Sequence, residues 1–256
     1  MQCRMVKAAI VLLLPMLFSC SENNVEPELE ILVYCGITMI RPVSEIAQLV
    51  ERQKKCRIII TKGGSGNLLS SILTNRIGDV YLPGSERYYQ TIDRHYKGLI
   101  LYRKKVGDNH AVLMVQKGNP KNIDVSLAAL ADPRYSVVIG SPVSGSIGKE
   151  TKKILDKQGI YNNVVENVIF MTTDSKDLVK AIREKEADIV VNWFAALTWD
   201  DNSDYIDVFE LNNGENSNNE LIMGILNTTL NYDIAKYFVD FCASEQGAKI
   251  FRKHGL

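Results

Sequence analysis

Three short segments of the sequence combine small residues with hydroxyl side chains, and each directly follows an apolar run. They are Gly36–Met39, Gly63–Asn67 and Ser141–Ser146. Glycine allows close approach of a ligand to the backbone, and Ser and Thr hydroxyls donate hydrogen bonds. None of the three contains Lys or Arg, so neutral donors would have to hold any anion. Each hydrogen bond to a charged group contributes about 1.5–3 kcal/mol, which suits reversible binding of a desolvated anion.

The same residue types have a simpler interpretation. Ser, Thr and Gly are the residues that cap helices and form turns, and capping alone would explain any single segment. Three such segments, each after a predicted strand, favour a shared site, because ligands of open α/β sheets gather beyond the carboxyl ends of strands. The segment around Gly64 is not a Walker phosphate loop, since no Gly-Lys-Ser/Thr follows it.

Other chemistries receive little support from the sequence. The three histidines, His95, His110 and His254, are scattered, so no histidine metal site is expected. The Tyr88-Tyr89 pair resembles the paired tyrosines of ferric-ion receptors, but a polar helix surface is the expected interpretation. Neither a GxSxG elbow in a Ser-His-Asp order nor a Cys with an activating partner is evident. We therefore expect no catalytic residues, no cofactor and no metal.

Strand and helix patterns alternate along the chain in two series of similar size. This order predicts an α/β fold with two lobes, each a mostly parallel sheet flanked by helices, joined by hinge crossovers around a cleft. We expect residues 31–110 with 221–256 to form lobe 1, and residues 111–220 to form lobe 2. Among the predicted elements are strands at Ile31–Cys35, Ala111–Gln116 and Val165–Met171, a helix at Asp174–Glu186 with Asp174 as its N-cap, and a final helix at Tyr232–Lys253.

Several segments together resemble one known family, and they cover nearly the whole chain after residue 30. The segments are Val33-Tyr34 with Thr38, Gly63–Leu68, Gly78–Ser85, Ala111–Pro120, Val138–Lys149, Lys185–Val191 and Ser244–Leu256. Their order and motifs resemble the periplasmic molybdate-binding proteins of ABC importers, which have the type II periplasmic binding protein fold. The resemblance implies a receptor that closes on a small tetrahedral oxyanion and performs no chemistry.

The resemblance also implies which residues bind the ligand. Serine hydroxyls and backbone N–H groups hold the oxyanion in that family, and the matching positions here are Thr38, Met39, Ser65, Gly66, Gly84, Ser85, Gly145, Ser146 and Asn192. Two positions depart from the family pattern. Thr38 replaces a serine and adds a methyl group, whereas Asn192 replaces a tyrosine and shortens the reach of the donor.

The first thirty residues differ from the rest of the chain. Arg4 and Lys7 precede the apolar run Ala8–Phe18, which is too short to cross a bilayer as a helix. With Leu17–Cys20, this pattern resembles a bacterial lipoprotein signal. We expect a signal peptide at residues 1–19, lipid attachment at Cys20 and a tether at 20–30. The alternatives are a plain signal peptide with an incidental Cys, or an N-terminal core helix.

Charge and cysteine content limit the remaining possibilities. The chain has 256 residues, with 30 Lys plus Arg and 30 Asp plus Glu. Removal of Arg4 and Lys7 with the signal would leave 28 basic residues against the same 30 acidic ones. Such a balance gives no support for nucleic-acid binding. Cys35, Cys56 and Cys242 are widely spaced, so three buried thiols are favoured over one disulfide.

Together these features predict a lipid-anchored solute-binding protein of the periplasm or outer membrane. It would bind a small oxyanion, such as molybdate or tungstate, as a monomer and deliver it to an ABC permease and ATPase. Two alternatives remain open: a two-lobed enzyme acting on a phosphate-bearing substrate, and a lipoprotein that senses a ligand. A secretion signal and the lack of an evident acid/base pair argue against the enzyme.

Overall fold

The computed structural model describes residues 29–211 and 218–256, and within these ranges nine strands alternate with nine α-helices. The strands are β1 (Leu29–Gly36), β2 (Cys56–Gly63), β3 (Val80–Leu82), β4 (Ile100–Gln116), β5 (Val137–Gly140), β6 (Val168–Thr172), β7 (Ile189–Trp193), β8 (Ile206–Glu210) and β9 (Asn218–Leu226). The helices are α1 (Ile40–Lys54), α2 (Ser65–Asn75), α3 (Arg87–His95), α4 (Ser146–Lys157), α5 (Tyr161–Asn167), α6 (Ser175–Arg183), α7 (Asn202–Tyr205), α8 (Tyr232–Cys242) and α9 (Glu245–Lys253).

The strands form one sheet in the order β2-β1-β3-β9-β4-β7-β5-β6, and β8 also pairs with β4. β4 changes partners along its length. Its first part pairs with β9 as far as His110, and from Ala111 it pairs with β7 and β8. We call residues 29–110 and 218–256 lobe 1, and residues 111–211 lobe 2. Strand pairs on either side of this crossing are parallel, whereas those made by β4 and β9 are antiparallel. The predicted α/β class is confirmed.

The core of lobe 1 lies on both faces of its sheet. Alternate residues of β1 point to opposite faces, so Ile31 and Val33 pack in one cluster while Tyr34 packs in another. Helices α1, α8 and α9 cover the first face, and α2 and α3 cover the second. A strand buried on both faces reads as a continuous apolar run. These layers fix the carboxyl ends of β1, β2 and β3, where the first cleft segments begin.

Three predicted elements have different boundaries in the structure. The predicted strand Val165–Met171 is wrong in its first half, because α5 continues to Asn167. The Asn167 side-chain amide donates to the carbonyls of Leu130 and Asp132 at 3.0 Å and holds the end of this helix in place. The predicted final helix is two helices, since the Ser244 hydroxyl accepts from Gly247 N at 3.2 Å and starts α9. β4 begins at Ile100 rather than at Ala111.

The N-terminal predictions concern residues outside the described ranges. Cys20 and the apolar run Ala8–Phe18 both precede Leu29, where the described chain begins. Between residues 29 and 256, leaving aside 212–217, no helix is long and apolar enough to cross a membrane. Cys35 and Cys242 are buried thiols, and burial raises the pKa of both.

Candidate functional site

The three hydroxyl-bearing segments meet at one small cavity between the lobes. Its volume is about 10 Å³, which is room for about one water-sized group. Lobe 1 and lobe 2 supply equal parts of the wall. The lining residues are Gly36, Ile37, Thr38, Gly63, Gly64 and Ser65 from lobe 1, and Gly145, Ser146, Ile147, Asp174, Ser175 and Trp193 from lobe 2.

Three of the helical N-termini that reach this cavity have no side-chain cap. A 3-10 turn at Ile37–Met39 begins after Gly36, α2 begins after Gly64, and α4 begins after Gly145. In each case the N-cap residue is glycine. The first N–H groups of a helix have no partner within the helix and carry the positive end of its dipole. On α2, two of these groups, Gly66 N and Asn67 N, already donate to Ser144 O of lobe 2 at 2.8 and 3.3 Å. The uncapped starts still place the positive ends of their dipoles beside the cavity.

Two serine hydroxyls in the wall accept hydrogen bonds from the protein, so the proton of each serine remains available to donate. Ser65 Oγ accepts a hydrogen bond from Gly84 N at 3.0 Å, and Ser146 Oγ accepts one from Trp193 Nε1 at 3.1 Å. The Tyr81 hydroxyl donates to the Ser65 carbonyl at 2.8 Å and fixes the start of α2 from below. A hydroxyl that already accepts can still donate, so both serines are arranged as donors.

Thr38 completes the set of hydroxyls. It is buried, and its Oγ1 donates to the Met39 sulfur at 2.9 Å. A thioether is a weak acceptor, so a charged oxygen in the cavity would compete well for this proton. Met39 itself does not line the cavity; its side chain is fully buried in the core of lobe 1.

Three glycines of lobe 1, at positions 64, 66 and 84, face atoms of lobe 2 rather than open space. A Cβ on Gly64 would lie 2.5 Å from Ser144 O, and one on Gly84 would overlap Ser146 Oγ. Gly66 N donates to Ser144 O at 2.8 Å. The sequence argument assigned the glycines to close approach of a ligand. In the structure, those at 64, 66 and 84 permit close approach of the opposite lobe.

Asn192 and Ser85 do not line the cavity, although the family resemblance assigned both to the ligand. Asn192 is fully buried; its Nδ2 donates to Ser175 O at 3.0 Å and its Oδ1 accepts from Trp193 N at 2.9 Å. It therefore supports two residues that do line the wall. Ser85 Oγ is hydrogen bonded to Asn219 Oδ1 at 2.6 Å. Of the nine proposed ligand residues, Thr38, Ser65, Gly145 and Ser146 line the cavity.

The sequence argument missed the three polar or aromatic side chains that lobe 2 adds. They are Asp174, Ser175 and Trp193. Trp193 both packs in the core of lobe 2 and lines the cavity, with 1% of its surface exposed. Asp174 caps α6 as predicted, accepting from Lys176 N at 2.8 Å. Burial, as the largest cause, raises the pKa of Asp174. Its position as an N-cap directly after β6 was the available signal that its carboxylate reaches the cleft.

The tyrosine pair on α3 is structural. Tyr88 and Tyr89 are buried, so the expected polar helix surface is wrong. Tyr89 donates to Tyr81 O at 2.6 Å, which ties α3 to the strand beneath Ser65. Within the residues that the structure describes, no group of three or more His, Cys, Asp or Glu side chains could hold a metal ion.

Comparison with known proteins places this architecture in a family. Residues 31–256 match the bacterial extracellular solute-binding proteins. A candidate binding protein of Haemophilus influenzae is 24% identical over 231 residues, covering 89% of this chain and 90% of that protein. The periplasmic molybdate-binding protein of Azotobacter vinelandii superimposes with a TM-score of 0.70 at 16% identity, covering 89% of this chain and 98% of that one.

A second solved structure is the substrate-binding domain of a candidate molybdenum ABC transporter from Clostridium difficile. It has a TM-score of 0.63 and 20% identity, covering 89% of this chain and 98% of that one. Other structures with this fold are a sulfate-binding protein of Mycobacterium tuberculosis, an iron-bound protein of Pseudomonas aeruginosa and a periplasmic binding protein of Actinobacillus pleuropneumoniae with bound fructose-6-phosphate. At these identities the structural likeness shows the type II periplasmic binding protein fold, as predicted. On the match over residues 31–256, the chain belongs to the bacterial extracellular solute-binding protein family.

Proposed function

We propose that the chain binds a small tetrahedral oxyanion, such as molybdate or tungstate, in the cavity between the lobes. The observation that carries the proposal is the set of hydroxyls at Thr38, Ser65 and Ser146, each at a helical N-terminus that no side chain caps. Helix N-termini and hydroxyls are the neutral groups that hold anions in proteins. About six hydrogen bonds of 1.5–3 kcal/mol each would offset dehydration of such an ion.

The size of the cavity supports a compact ligand. A volume of about 10 Å³ is room for one water-sized group, so an oxyanion with a central atom and four oxygens would itself move the lobes slightly apart, and a ligand with a carbon chain would move them further. Sugar phosphates, one ligand class carried by this fold, therefore fit this arrangement less well than a compact anion. Molybdate, tungstate and sulfate share a compact tetrahedral shape that the three hydroxyl-bearing segments can surround.

The charge of the wall supports an anion over a cation. Among the residues that the structure describes, Asp174 is the only one with a carboxylate that lines the cavity, and one carboxylate does not make a metal site. Its Oδ1 is engaged by the N–H groups of Lys176 and Asp177, which partly neutralise it. The same solitary carboxylate offers no acid/base pair, so we propose a receptor without turnover.

Binding and closure would be one process. We propose that lobe 1 and lobe 2 move as two bodies, hinged where β4 changes partners. Three contacts would form on closure: Gly66 N to Ser144 O at 2.8 Å, Asn67 N to the same oxygen at 3.3 Å, and Arg41 to Asp200 at 2.6 Å. A ligand that touches both lobes stabilises the closed state through this differential contact.

In the cell, the receptor would be held by lipid at Cys20, act as a monomer in the periplasm or at the outer membrane, and pass its ligand to the permease and ATPase of an ABC importer. Family membership and the N-terminal pattern of Arg4, Lys7, Ala8–Phe18 and Cys20 support this arrangement. Metabolic labelling with a fatty-acid analogue, compared between the wild type and Cys20→Ala, tests the anchor separately from the ligand.

Calorimetric titration of the protein with molybdate, tungstate, sulfate, phosphate and ferric citrate tests the ligand class. We expect one site, with at least one tetrahedral oxyanion bound tighter than 10 μM, or about −7 kcal/mol. Because Trp193 lines the cavity, its fluorescence should change on binding. Binding of ferric ion alone, or of no oxyanion, would contradict the proposal.

A further inference from the structure

A second polar groove lies between α3 of lobe 1 and α4 of lobe 2. Its volume is about 350 Å³, and it shares no residue with the cleft cavity. Arg87, Gln90, Thr91 and Arg94 occupy one face of α3 at helical spacing, and Lys149 closes the groove from α4. All five side chains carry hydrogen-bond donors.

Two cations of the groove have no carboxylate partner. Among the residues described, neither Arg94 nor Lys149 forms a salt bridge, whereas the neighbouring Arg87 and Lys153 both pair with Glu150. Lys149 Nζ instead sits 4.1 Å from the centroid of the Tyr88 ring. Burial, followed by repulsion from Arg87, lowers the pKa of Lys149. Such a cation gains stability from an incoming anion.

The carboxylate that contacts Arg87 is already paired with a second cation. Glu150 is fully buried and contacts Lys153 at 2.9 Å and Arg87 at 3.4 Å. This pair holds Arg87 beside the groove across the boundary between the lobes. The groove therefore keeps a net positive charge, although α4 carries an acidic residue at this point.

We propose that this groove is a second anion-binding site, which takes a phosphate-type anion larger and more highly charged than the cleft ligand, with diphosphate as the simplest example. Arginine forks match phosphate oxygens, and the groove is far larger than the cavity in the cleft. Because Lys149 belongs to lobe 2 and Arg94 to lobe 1, the site is complete only when the lobes meet. Diphosphate should therefore favour closure, a consequence that rests on the proposed function.

Calorimetric titration with diphosphate, without added metal, tests the site. We expect one diphosphate per wild-type chain, binding at least tenfold weaker to the double variant Arg94→Gln/Lys149→Gln. Lys152→Gln is the matched control, since Lys152 lies on α4 and pairs with Asp156 outside the groove. Ser65→Ala should leave diphosphate binding unchanged. No diphosphate binding to the wild type, or binding lost in Ser65→Ala and kept in the double variant, would overturn the site.

Coupling is measured by titrating molybdate in the presence and absence of saturating diphosphate. We expect tighter molybdate binding with diphosphate in the wild type and no difference in the double variant. Equal molybdate affinity in both conditions would overturn the coupling. Failure of every oxyanion to bind the cleft would instead overturn the proposed function, while the diphosphate titration would still decide the groove.

Discussion

Helices α4 and α9 begin with similar residues and use them in opposite ways. α9 starts after Ser244, whose hydroxyl accepts from Gly247 N at 3.2 Å and so satisfies its own helix. α4 starts after Gly145, and the hydroxyl of its first residue, Ser146, accepts from Trp193 Nε1 instead. The first N–H groups of α4 are left for another partner. At the proposed ligand site an uncapped helix start lies beside a hydroxyl that can still donate, whereas the capped start of α9 stabilises its own helix.

Helix α6 lies between these two cases. Asp174 caps it as Ser244 caps α9, yet the same carboxylate lines the cavity as Ser146 does. The cleft thus contains one start whose cap competes with the proposed anion. Five substitutions, with two control variants, test how far the contrast between capped and uncapped starts extends.

The largest effect is expected at the start of α2. In Gly64→Ala the added Cβ would meet Ser144 O at 2.5 Å and Thr173 O at 2.7 Å, two backbone atoms from different loops. Closure should be blocked, weakening molybdate binding about 100-fold, or about 2.8 kcal/mol. Stability should change by less than about 1 kcal/mol, because Gly64 has backbone angles that alanine adopts (φ −65°, ψ 135°).

Gly63→Ala is the matched control for that substitution. Its Cβ would meet only Leu68 Cδ2 at 3.6 Å, an ordinary contact. Affinity measured by calorimetry should stay within about threefold of the wild type, since no lobe 2 atom is displaced. Equal losses in Gly63→Ala and Gly64→Ala would mean that closure does not depend on these lobe contacts.

The second-largest effect is expected from removing the serine hydroxyls that can still donate to a ligand. Ser65→Ala and Ser146→Ala each remove one donor to a charged ligand, which is worth about 1.5–3 kcal/mol. Each variant should bind molybdate about 30-fold more weakly. Ser70→Ala is the control, because this α2 hydroxyl donates to Gly66 O at 3.0 Å away from the cavity. Wild-type affinity in both cleft variants would remove the serines from the site.

A gain of affinity is expected at α6. Asp174→Asn keeps a good N-cap residue and removes the one negative charge that lines the cavity. Oxyanion binding should tighten about tenfold, or about 1.4 kcal/mol, whereas a cationic ligand would bind more weakly. The wild type should likewise bind sulfate more tightly as pH falls towards the pKa of Asp174, which burial raises. Calorimetry at several pH values should show that dependence flattened in the variant.

The smallest effect is expected at the capped start of α9. Ser244→Ala removes the cap and should lower the free energy of unfolding by about 1 kcal/mol, measured by urea denaturation. Affinity for molybdate should not change, because Ser244 is absent from the cavity wall. A loss of molybdate affinity without a loss of stability would contradict the assignment of the capped start of α9 to stability and of the uncapped starts to ligand binding.

Local pattern was sufficient for most elements and for the segments that form the cleft. The apolar run at Ile31–Cys35 predicted a buried strand, and the hydroxyl-bearing segment after it predicted a loop at the carboxyl edge of the sheet. The segments that contain Thr38, Ser65, Gly145 and Ser146 were found this way because a strand end fixes where the following loop lies. The family resemblance singled out these four residues within the segments and added the type II fold.

The tertiary structure decided what each of these residues does. Gly64 and Gly84 face the opposite lobe, Asn192 spends both amide groups on Ser175 and Trp193, and Trp193 reaches the cavity from a strand end. None of these roles has a local signal, because each depends on an atom far away in the sequence. The sequence determined which hydrogen-bond donors lie at the helix N-termini. Packing of one lobe on the other determined which of these donors have no acceptor within the protein.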